Sequence, residues 1–285
     1  MNFTEDELEK ACISYFEELG YEYVFGPNIA PDGEACERVS YSTIVLEERL
    51  RNAVYKINPK SDRKSKEEAI RKALITDSPS LIINNKNFHK MLTDGIDVTY
   101  HDTKLGEVSE KIYLFDFKNE KNNDFMVINQ MTIIEAGKNR RPDLIVYVNG
   151  FPLVVIELKS AINEEATINK AYHQLQTYKS DIASLFTYNS FMVISDGINA
   201  KAGTLTSDEE RFMQWRTVDG TTISPLTEPK LEVLIKGMFQ RERFQNNYLF
   251  PLHYIFFKLC YSFFIKLKPL NLCNFLNYLP ISFIT

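Results

Sequence analysis

Two acidic residues and one lysine are spaced in the sequence so that their side chains could together bind a metal ion beside a phosphodiester. Asp143 comes directly before the apolar run 144–148, and Glu157 and Lys159 follow the apolar run 153–156. Carboxylate oxygens are ligands that Mg²⁺ prefers, and Mg²⁺ usually keeps several waters and takes a remaining ligand from a phosphate. A bound metal lowers the pKa of a water and neutralises charge that develops on phosphorus. These residue types therefore indicate a candidate centre for phosphodiester hydrolysis, provided that the fold brings them together.

The segment between the two acids predicts a β-hairpin. An Asn-Gly pair at 149–150 separates the two β-branched runs, and this is the strongest short-range hairpin signal in a sequence. In a hairpin with a regular two-residue turn, Asp143 would pair with Ile156 and lie on the opposite face from Glu157. A shared site requires either a bulge or an Asp143 that is still in the preceding loop. Because Pro152 cannot donate to the ladder, we predict a bulge or twist in this hairpin.

A helix is predicted after the lysine, from residue 161 to about residue 185. Gln174 and Tyr178 are four residues apart and therefore share one helix face. Taken alone, the pair fits an ordinary amphipathic helix whose tyrosine fills a gap in the core. Its position, about fifteen residues after Lys159, favours a role beside the candidate site.

These motifs, taken in order, resemble a known nuclease family. Pro142-Asp143 and Glu157-Leu158-Lys159 match the PD-(D/E)xK nuclease core literally, and the Gln/Tyr pair is similar to a motif of RecB-like nucleases and of type I restriction enzyme R subunits. Further segments that resemble the R subunit are Gly20-Tyr21, Val45–Leu50, Asn58-Pro59, Asp196-Gly197 and Ala202–Thr204. The resemblance covers residues 1–245, and by it the chain is identified as the N-terminal nuclease domain of a type I restriction R subunit.

The resemblance implies a role for each matched residue. Asp143, Glu157 and the backbone carbonyl of Leu158 would bind Mg²⁺. Lys159 would orient or deprotonate the attacking water and stabilise the developing negative charge. A simpler alternative is a solvated sheet end with a surface ion pair, since Glu-x-Lys after a strand is common. A second acid, Asp143, lies across the Asn-Gly hairpin, and this makes a chance occurrence of the pattern a less convincing explanation.

Other residues are assigned supporting roles by the same resemblance. Gln174 and Tyr178 would pack beside the site or contact the DNA backbone. A glutamate of the first helix often joins the metal site in RecB-like members, and Glu9 is the candidate here, with Glu5 as the alternative. An exposed face of a surface helix accounts equally well for both. That helix is predicted to start at a capping box, residues 4–7, and to run to about residue 19, where a glycine stops it.

Charge does not by itself predict a DNA-binding protein. The net charge is −5, whereas broad electrostatic binding of DNA normally needs a basic face. Nine lysines and arginines lie between residues 49 and 72 against three acids, and a solvated basic helix accounts for them as well as DNA contact does. Lys138, Arg140 and Arg141 lead directly into Asp143 and are better placed to contact phosphates. The expected partner is double-stranded DNA.

The predicted fold class is α/β, a PD-(D/E)xK or restriction-endonuclease-like core with a mixed sheet flanked by helices. The chain has 285 residues, of which 44% are apolar and 25% charged, enough for one substantial core or a core with a subdomain. We expect a nuclease domain over residues 1–245, made of a helical segment 1–85 and a catalytic core 86–245, and an atypical apolar tail 246–285. Besides the hairpin, strands are expected at 112–115, 125–128 and 191–195, and peripheral helices to about residue 244.

The complete enzyme of the resembled family would need more than this chain contains. The sequence has no G-x-x-x-x-G-K-[ST] loop, so the ATP-driven motor is expected to be absent, through truncation of the gene by a change of reading frame. The resemblance also implies methyltransferase and specificity subunits as partners, and ATP as a cofactor of the complete enzyme. Two alternatives stay open: a stand-alone RecB-like repair nuclease, and a catalytically silent docking or remnant domain.

The sequence favours a cytoplasmic protein. The first dozen residues are acidic and helical, unlike a signal peptide. The four cysteines have no C-x-x-C spacing, so neither a zinc site nor a disulfide framework is indicated. The stretch 248–265 is almost wholly apolar and long enough to cross a bilayer. Pro251 and Lys258 weaken that interpretation, and we expect no membrane association.

Overall fold

A computed structural model describes residues 4–102, 106–160 and 168–246, with the backbone alone for residues 100–102. The predicted apolar tail 246–285 lies outside the described residues apart from Asn246, and so does the stretch 248–265. Within the described ranges, no helix is both long and apolar enough to cross a membrane.

Seven α-helices lie in the described part of the chain, and the first one starts and stops as predicted. Thr4 and Glu7 form the capping box: the Thr4 hydroxyl accepts from the Glu7 N–H, and the Glu7 carboxylate accepts from the Thr4 N–H at 2.8 Å. Gly20, with φ +80°, follows the helix end. The helices are α1 (Glu5–Glu18), α2 (Glu47–Ile57), α3 (Arg63–Leu74), α4 (Leu81–Asp94), α5 (Ile168–Asp181), α6 (Lys230–Met238) and α7 (Arg241–Phe244).

The centre of the fold is a mixed six-stranded sheet with the order β1-β4-β7-β8-β9-β10. Strand β1 is parallel to β4, and β8 is parallel to β9, whereas the other neighbouring pairs are antiparallel. Two small hairpins, β2–β3 and β5–β6, lie apart from it. The strands are β1 (Glu22–Phe25), β2 (Ile96–Asp102), β3 (Gly106–Ile112), β4 (Phe125–Asn129), β5 (Ile133–Glu135), β6 (Lys138–Arg140), β7 (Leu144–Val148), β8 (Phe151–Leu158), β9 (Phe191–Ser195) and β10 (Ala200–Gly203).

Helices cover both faces of the central strands. Every residue of β7 and β8 is buried, as expected for strands enclosed on two sides. Helix α1 contacts β1, β4 and β8, and α5 contacts β8 and β9. Helix α5 also lies between β8 and β9 in the chain, so it is the crossover that joins these two parallel strands. The predicted α/β class, a mixed sheet flanked by helices, is confirmed.

The helix after the lysine is shorter than predicted. It ends at Asp181 rather than near residue 185, and the segment Ala183–Tyr188 is a 3₁₀-helix. Ile182 is fully buried and has a non-helical backbone with φ −135°, so packing against the core ends the helix where local propensity would continue it. The predicted first turns, residues 161–167, lie outside the described residues.

Two predictions about strands were incomplete. The strand expected at 112–115 is wrong beyond Ile112, which ends β3; Leu114 and Phe115 are instead buried in a loop over the core. The strands expected at 125–128 and 191–195 are confirmed. Sequence reasoning missed β1, a four-residue strand without apolar alternation inside the supposedly helical segment 1–85. That segment therefore contributes an edge strand to the sheet of the core.

The predicted hairpin is confirmed, and its turn is buried. Asn149 and Gly150 have φ values of +51° and +80°, the conformation for which an Asn-Gly pair is favoured. The Asn149 side chain is fully buried, donates to the carbonyl of Leu114 at 3.0 Å and accepts from the N–H of Asp124 at 2.7 Å. The turn thereby holds the loop before β4 as well as the hairpin.

Replacing Gly150 by alanine is expected to lower the free energy of unfolding by about 3 kcal/mol, because the strain of a positive φ adds to overpacking. A Cβ at this position would lie 2.4 Å from the carbonyl oxygen of Leu46, which is backbone and cannot move aside easily. Gly137→Ala is the matched control: its φ is +76°, but nothing lies within 4 Å of its Cβ. We expect that control to lose only about 1 kcal/mol in urea unfolding. Equal losses would show that the contact with Leu46 is unimportant.

Candidate active site

The β7–β8 hairpin contains the predicted irregularity. Tyr147 pairs with Pro152, but its neighbour Val146 pairs with Val154. Leu153 is therefore an additional residue on β8, which defines a β-bulge. The bulge lies next to Pro152, the residue whose missing N–H made an irregularity expected.

This bulge brings the two acids to the same face of the sheet. Leu144 pairs with Ile156, so Asp143, one residue earlier, lies level with Glu157. Residues that lie opposite each other in an antiparallel pair share a face. The Asp143 carboxylate also accepts a hydrogen bond from the N–H of Leu158 at 2.6 Å. Without the bulge, Asp143 would be level with Ile156 and would point away from Glu157.

Both carboxylates are removed from solvent. Asp143 is 9% exposed and Glu157 is 1% exposed. One oxygen of Glu157, Oε1, accepts from Lys159 Nζ at 2.6 Å. The other oxygen, Oε2, is buried and accepts no hydrogen bond of normal geometry among the described residues, although an interaction with the Tyr178 side chain lowers the pKa of Glu157. A buried acceptor without a regular hydrogen bond is rare and costs about 1–3 kcal/mol, so this atom marks a place where a further ligand fits.

Burial makes both acids difficult to ionise. The pKa of Asp143 is raised to about 8, first by desolvation and then by the Glu157 charge, and the Leu158 N–H and the Lys159 ammonium oppose this only in part. Desolvation also raises the pKa of Glu157, against the opposing effect of Lys159. Two carboxylates in one poorly solvated site repel each other, and a cation between them would relieve that repulsion.

The Lys159 ammonium lies where several oxygens converge. It donates to Glu157 Oε1, to the carbonyl of Leu158 at 2.9 Å and to Glu5 Oε1 at 3.2 Å. Burial alone would lower its pKa, but Glu157, Asp143 and Glu5 together raise it above the usual value. The backbone N–H of Lys159 donates to the carbonyl of Ser195 at 2.8 Å, which fixes the end of β8 against β9.

Helix α1 contributes two glutamates near the site, and these have different interaction partners. Glu5 contacts the ammonium of Lys159, and Glu9 accepts hydrogen bonds from Asn129 Nδ2 at 2.7 Å and Gln130 Nε2 at 2.5 Å. Both glutamates line the same cleft as Asp143, with a volume of about 540 Å³. Glu9 therefore shares this cleft with Asp143, but both of its oxygens already accept hydrogen bonds from amides. We call this cleft the acidic cleft; it is lined by Glu5, Asp6, Glu9, Lys10, Ile13, Tyr23, Phe25, Asn129, Gln130, Arg141 and Asp143.

The Gln174/Tyr178 pair lies beside the acids on α5. The Tyr178 hydroxyl donates to the carbonyl of Arg141 at 3.3 Å, two residues before Asp143. Burial and then the charges of Glu157 and Asp143 raise the pKa of Tyr178, while a hydrogen bond with Gln174 lowers it. Tyr178 is buried and Gln174 is partly exposed. The pair therefore holds the chain that leads into Asp143, and Gln174 alone keeps surface that a ligand can reach.

The predicted phosphate-binding triplet is divided by the structure. Lys138 and Arg141 are exposed, and Arg141 lines the acidic cleft. Arg140 instead forms an ion pair with Asp181 at the end of α5, with Nε 2.8 Å from Oδ2. This pair ties the β5–β6 hairpin to α5, so Arg140 has a structural partner that its sequence position did not reveal.

The larger basic cluster is mostly engaged within the protein. Arg49 bonds to Glu37, Glu22 and Asp124, and Arg51 pairs with Glu67. Six of the nine basic residues donate to carboxylates or backbone carbonyls or lie over an aromatic ring: Arg49, Arg51, Lys56, Lys66, Arg71 and Lys72. These contacts favour the structural interpretation of this cluster over a DNA-binding face.

The oxygen donors at the sheet end fit a hard divalent cation. Two carboxylates and the Leu158 carbonyl lie together, Glu157 Oε2 accepts no hydrogen bond of normal geometry among the described residues, and the Leu158 carbonyl already contacts an ammonium ion. Mg²⁺ is typically bound through one or two carboxylates, with waters and substrate phosphate completing its shell. Among the described residues, no group of three or more His, Cys, Asp or Glu side chains is arranged for a metal. The donor set therefore suits a metal that keeps waters and not a closed structural site.

Some residues of the site carried no recognisable signal in the sequence. Asn129 and Gln130 bind Glu9, and Gln130 has a positive φ of +52°. The polar pair at the end of an apolar strand is the one local hint of this role. Tyr23 and Phe25 reach the cleft because β1 is an edge strand, which residue spacing alone did not indicate.

Comparison with known proteins relates the chain to a family. Residues 2–211 match the family described as "Type I restriction enzyme R protein N terminus". The chain is 37% identical over 242 residues to the type I restriction enzyme HindI endonuclease subunit of Haemophilus influenzae, covering 84% of this chain and 23% of that protein. It is 32% identical over 257 residues to a protein of Methanocaldococcus jannaschii named as the MjaIXP endonuclease subunit, covering 82% and 24%. The chain thus spans about a quarter of the length of these relatives.

Proposed function

The chain belongs to the family of type I restriction enzyme R protein N termini, and from this we propose that it acts as a Mg²⁺-dependent endonuclease domain that cleaves double-stranded DNA. One observation carries the proposal: the bulge in the β7–β8 hairpin sets Asp143 level with Glu157, and Lys159 contacts Glu157 directly. A regular hairpin would place the two acids on opposite faces of the sheet. The bulge therefore allows residues of a common sequence pattern to form one site.

In this proposal, different groups of the chain bind the metal, orient its ligands and donate hydrogen bonds to the reacting atoms. Asp143, Glu157 and the carbonyl of Leu158 hold Mg²⁺, which when bound neutralises phosphate charge and acidifies a water. The N–H of Leu158 fixes the orientation of Asp143 through its 2.6 Å hydrogen bond. Lys159 donates hydrogen bonds to the attacking water and to negative charge on the phosphate as the transition state develops.

The surrounding elements keep that constellation in place. Tyr178 holds the carbonyl of Arg141, and Gln174 bonds to Tyr178. Every residue of β7 and β8 is buried, so these strands keep solvent away from the acids on the side of the sheet. Ions and dipoles fixed in a poorly solvated site act more strongly on a developing charge than they would in water. We assign Gln174 and Tyr178 a supporting role, with Arg141 and Lys138 as contacts to DNA phosphates.

We also propose partner subunits for this chain. Relatives about four times as long are named as endonuclease subunits of type I restriction enzymes. We propose that the domain works in a complex with methyltransferase and specificity subunits, in which another subunit selects the DNA site. We also propose an ATP-driven motor as part of the complete enzyme; the given sequence contains no phosphate-binding loop of the motor type.

The test is to titrate Mg²⁺ into the purified chain while measuring the heat of binding and the nicking of supercoiled plasmid. We expect Mg²⁺ to bind, nicking to depend on it, and chelation to stop the reaction. Nicking without other subunits would favour a stand-alone nuclease, and nicking only after their addition would favour the restriction complex. A folded chain that binds neither Mg²⁺ nor Mn²⁺ would refute the site and leave a docking or remnant domain.

A further inference from the structure

Glu9 of helix α1 is the centre of a hydrogen-bond network that leads to Asp143. One of its oxygens, Oε1, accepts from Asn129 Nδ2 at 2.7 Å, and the other, Oε2, accepts from Gln130 Nε2 at 2.5 Å. The N–H of Gln130 in turn donates to the carbonyl of Asp143 at 3.1 Å. The Glu9 carboxylate is therefore connected to the backbone of Asp143 through a single residue, Gln130.

The strand register places the Glu9 carboxylate away from the second acid of the site. Asn129 pairs with Leu144, and Leu144 pairs with Ile156. The Asn129 side chain therefore lies on the opposite face of the sheet from Glu157, the residue after Ile156. Because Glu9 is bonded to Asn129, it is held over that opposite face. This position favours an indirect role for Glu9 over contact with a metal beside Glu157.

Gln130 has a backbone conformation that needs support from its surroundings. Its φ is +52°, in the left-handed region that residues other than glycine adopt uncommonly. Such conformations persist where the surrounding structure holds them, and they cluster at functional sites. The angle φ is the rotation between the N–H of a residue and its side chain. With the Gln130 side chain fixed on Glu9, this angle therefore decides whether the N–H points at Asp143.

The second amide of the network is oriented by Tyr23. The Tyr23 hydroxyl donates to Asn129 Oδ1 at 3.1 Å, and this orientation of the amide directs Nδ2 towards Glu9. Asn129 is 5% exposed, so the network is largely shielded from water. Hydrogen bonds to an ionised acceptor are about twice as strong as those between neutral groups. The contacts of Glu9 with Asn129 and Gln130, which we call the Glu9 latch, are therefore well suited to hold one backbone geometry.

We propose that Glu9 is a positioning residue: its carboxylate holds the Gln130 side chain, which keeps the Gln130 N–H on the carbonyl of Asp143. The latch thereby fixes the backbone of Asp143 just before β7. This inference rests on the proposed nuclease function and adds to it a residue on the other face of the sheet, which acts through the backbone of Gln130 and not on the metal.

The latch would be one of three supports around Asp143. Gln130 bonds to its carbonyl, Leu158 bonds to its carboxylate, and Tyr178 bonds to the carbonyl of Arg141, two residues earlier. Removing a group that orients a metal ligand typically costs about 10-fold to 100-fold in metal affinity or activity. We expect loss of the latch to lie in that range.

Variants at residues 9 and 130 separate the latch from a metal ligand. Glu9→Ala should slow Mg²⁺-dependent nicking by about ten-fold or more, and so should Gln130→Ala. Gln130→Gly also lacks the amide, but glycine adopts a positive φ without strain, so this variant should lose only about three-fold. In the chain that carries Gln130→Gly, Glu9→Ala should then have little further effect. A metal ligand at position 9 would instead cause the same loss with either residue at position 130.

A second measurement needs neither metal nor DNA. In EDTA, hydrogen–deuterium exchange of the peptides that contain the Gln130 and Leu158 amides reports whether these N–H groups stay bonded to Asp143. Glu9→Ala should accelerate exchange in both peptides by about ten-fold. Glu9→Gln keeps one acceptor oxygen and should have a smaller effect. Adding Gln130→Gly to Glu9→Ala should restore protection of the Leu158 peptide.

Asp6→Asn is the matched control, because Asp6 lines the same cleft but pairs with the exposed Lys10 on its own helix. It should change neither measurement. Glu9 and Gln130 are both partly exposed, and a thermal melt of each variant checks that the fold is intact. Equal losses for Glu9→Ala with and without Gln130→Gly, or unchanged exchange in Glu9→Ala, would refute the latch while the nuclease proposal stands. If the wild type cleaves no DNA, the nuclease proposal fails, and the exchange measurement alone decides whether the latch holds Asp143.

Discussion

Asp143→Asn is expected to reduce DNA cleavage strongly and, in the absence of metal, to make the protein more stable at pH 8. The amide keeps an oxygen that can accept from the N–H of Leu158, a bond of 2.6 Å in the structure. It removes one of two carboxylates that are both buried and level with each other, one just before β7 and one on β8. Loss of a charged ligand should reduce cleavage by at least about 100-fold, the usual effect of removing one electrostatic group from a site.

The stability effect follows from the pKa of Asp143. Its folded value is about 8, whereas an exposed aspartate titrates at about 3.9. Between these values the unfolded chain has released the proton and the folded chain still holds it, so the free energy of unfolding falls as the pH rises from about 4 to about 8. Burial is the first cause and Glu157 the second. The amide of the variant would carry no charge at any of these pH values and would be free of this loss.

Urea unfolding in EDTA at pH 5, 6.5 and 8 provides the measurement. We expect Asp143→Asn to exceed the wild type by about 2 kcal/mol at pH 8 and by much less at pH 5. Adding Mg²⁺ should stabilise the wild type and not the variant, because a ligand stabilises only the state that binds it. Glu210→Gln, at an exposed acid outside the cleft, should show neither effect. An advantage of Asp143→Asn that is independent of pH would contradict the assigned cause.

The elements that were predictable from sequence are those with a local signal. The Asn-Gly pair predicts the hairpin, and the capping box at Thr4 and the glycine at 20 predict both ends of α1. The bulge was predictable for a different reason: Asp143 and Glu157 could share a site only if the register shifted, and Pro152 offered the place. Here the requirement that the two acids share one site predicted the bulge, which secondary-structure propensity alone did not.

The remaining features depend on contacts between distant parts of the chain. Strand β1 is short and lacks apolar alternation, and its pairing with β4 joins residues about one hundred positions apart. Glu9 lines the same cleft as Asp143 but accepts hydrogen bonds from Asn129 and Gln130, and Arg140 forms an ion pair with Asp181. Residue type and spacing indicate which groups are available, but not which of them a folded neighbour has already engaged.

Lys159→Met is expected to separate metal binding from cleavage. In the structure the Lys159 ammonium contacts Glu157 Oε1 and the carbonyl of Leu158, two of the oxygens that we assign to Mg²⁺. An ammonium and a divalent cation that approach the same oxygens repel each other, so the lysine competes with the metal for this position. Methionine has a similar length without the charge, so it removes this competition while filling the same space. Mg²⁺ should therefore bind at least as tightly as in the wild type.

Cleavage by Lys159→Met should nevertheless fall by about 100-fold or more, because the donor to the water and to the developing phosphate charge is lost. Without metal, Glu157 would lose its partner while 1% exposed, and the variant should be about 2 kcal/mol less stable than the wild type at pH 8. Saturating Mg²⁺ should restore much of that difference. Calorimetry for Mg²⁺, plasmid nicking and urea unfolding measure the three effects.

Lys10→Met is the matched control, since Lys10 lines the same cleft but is mostly exposed and pairs with Asp6 on its own helix. It should change none of the three measurements strongly, because an exposed pair contributes about 1 kcal/mol at most. If Lys159→Met stays folded but binds Mg²⁺ more weakly than the wild type, then the ammonium is needed to keep the carboxylates in place. Lys159 would then be a positioning residue, and the group that handles the water would have to be sought elsewhere, first at Gln174, the partly exposed member of the pair on α5.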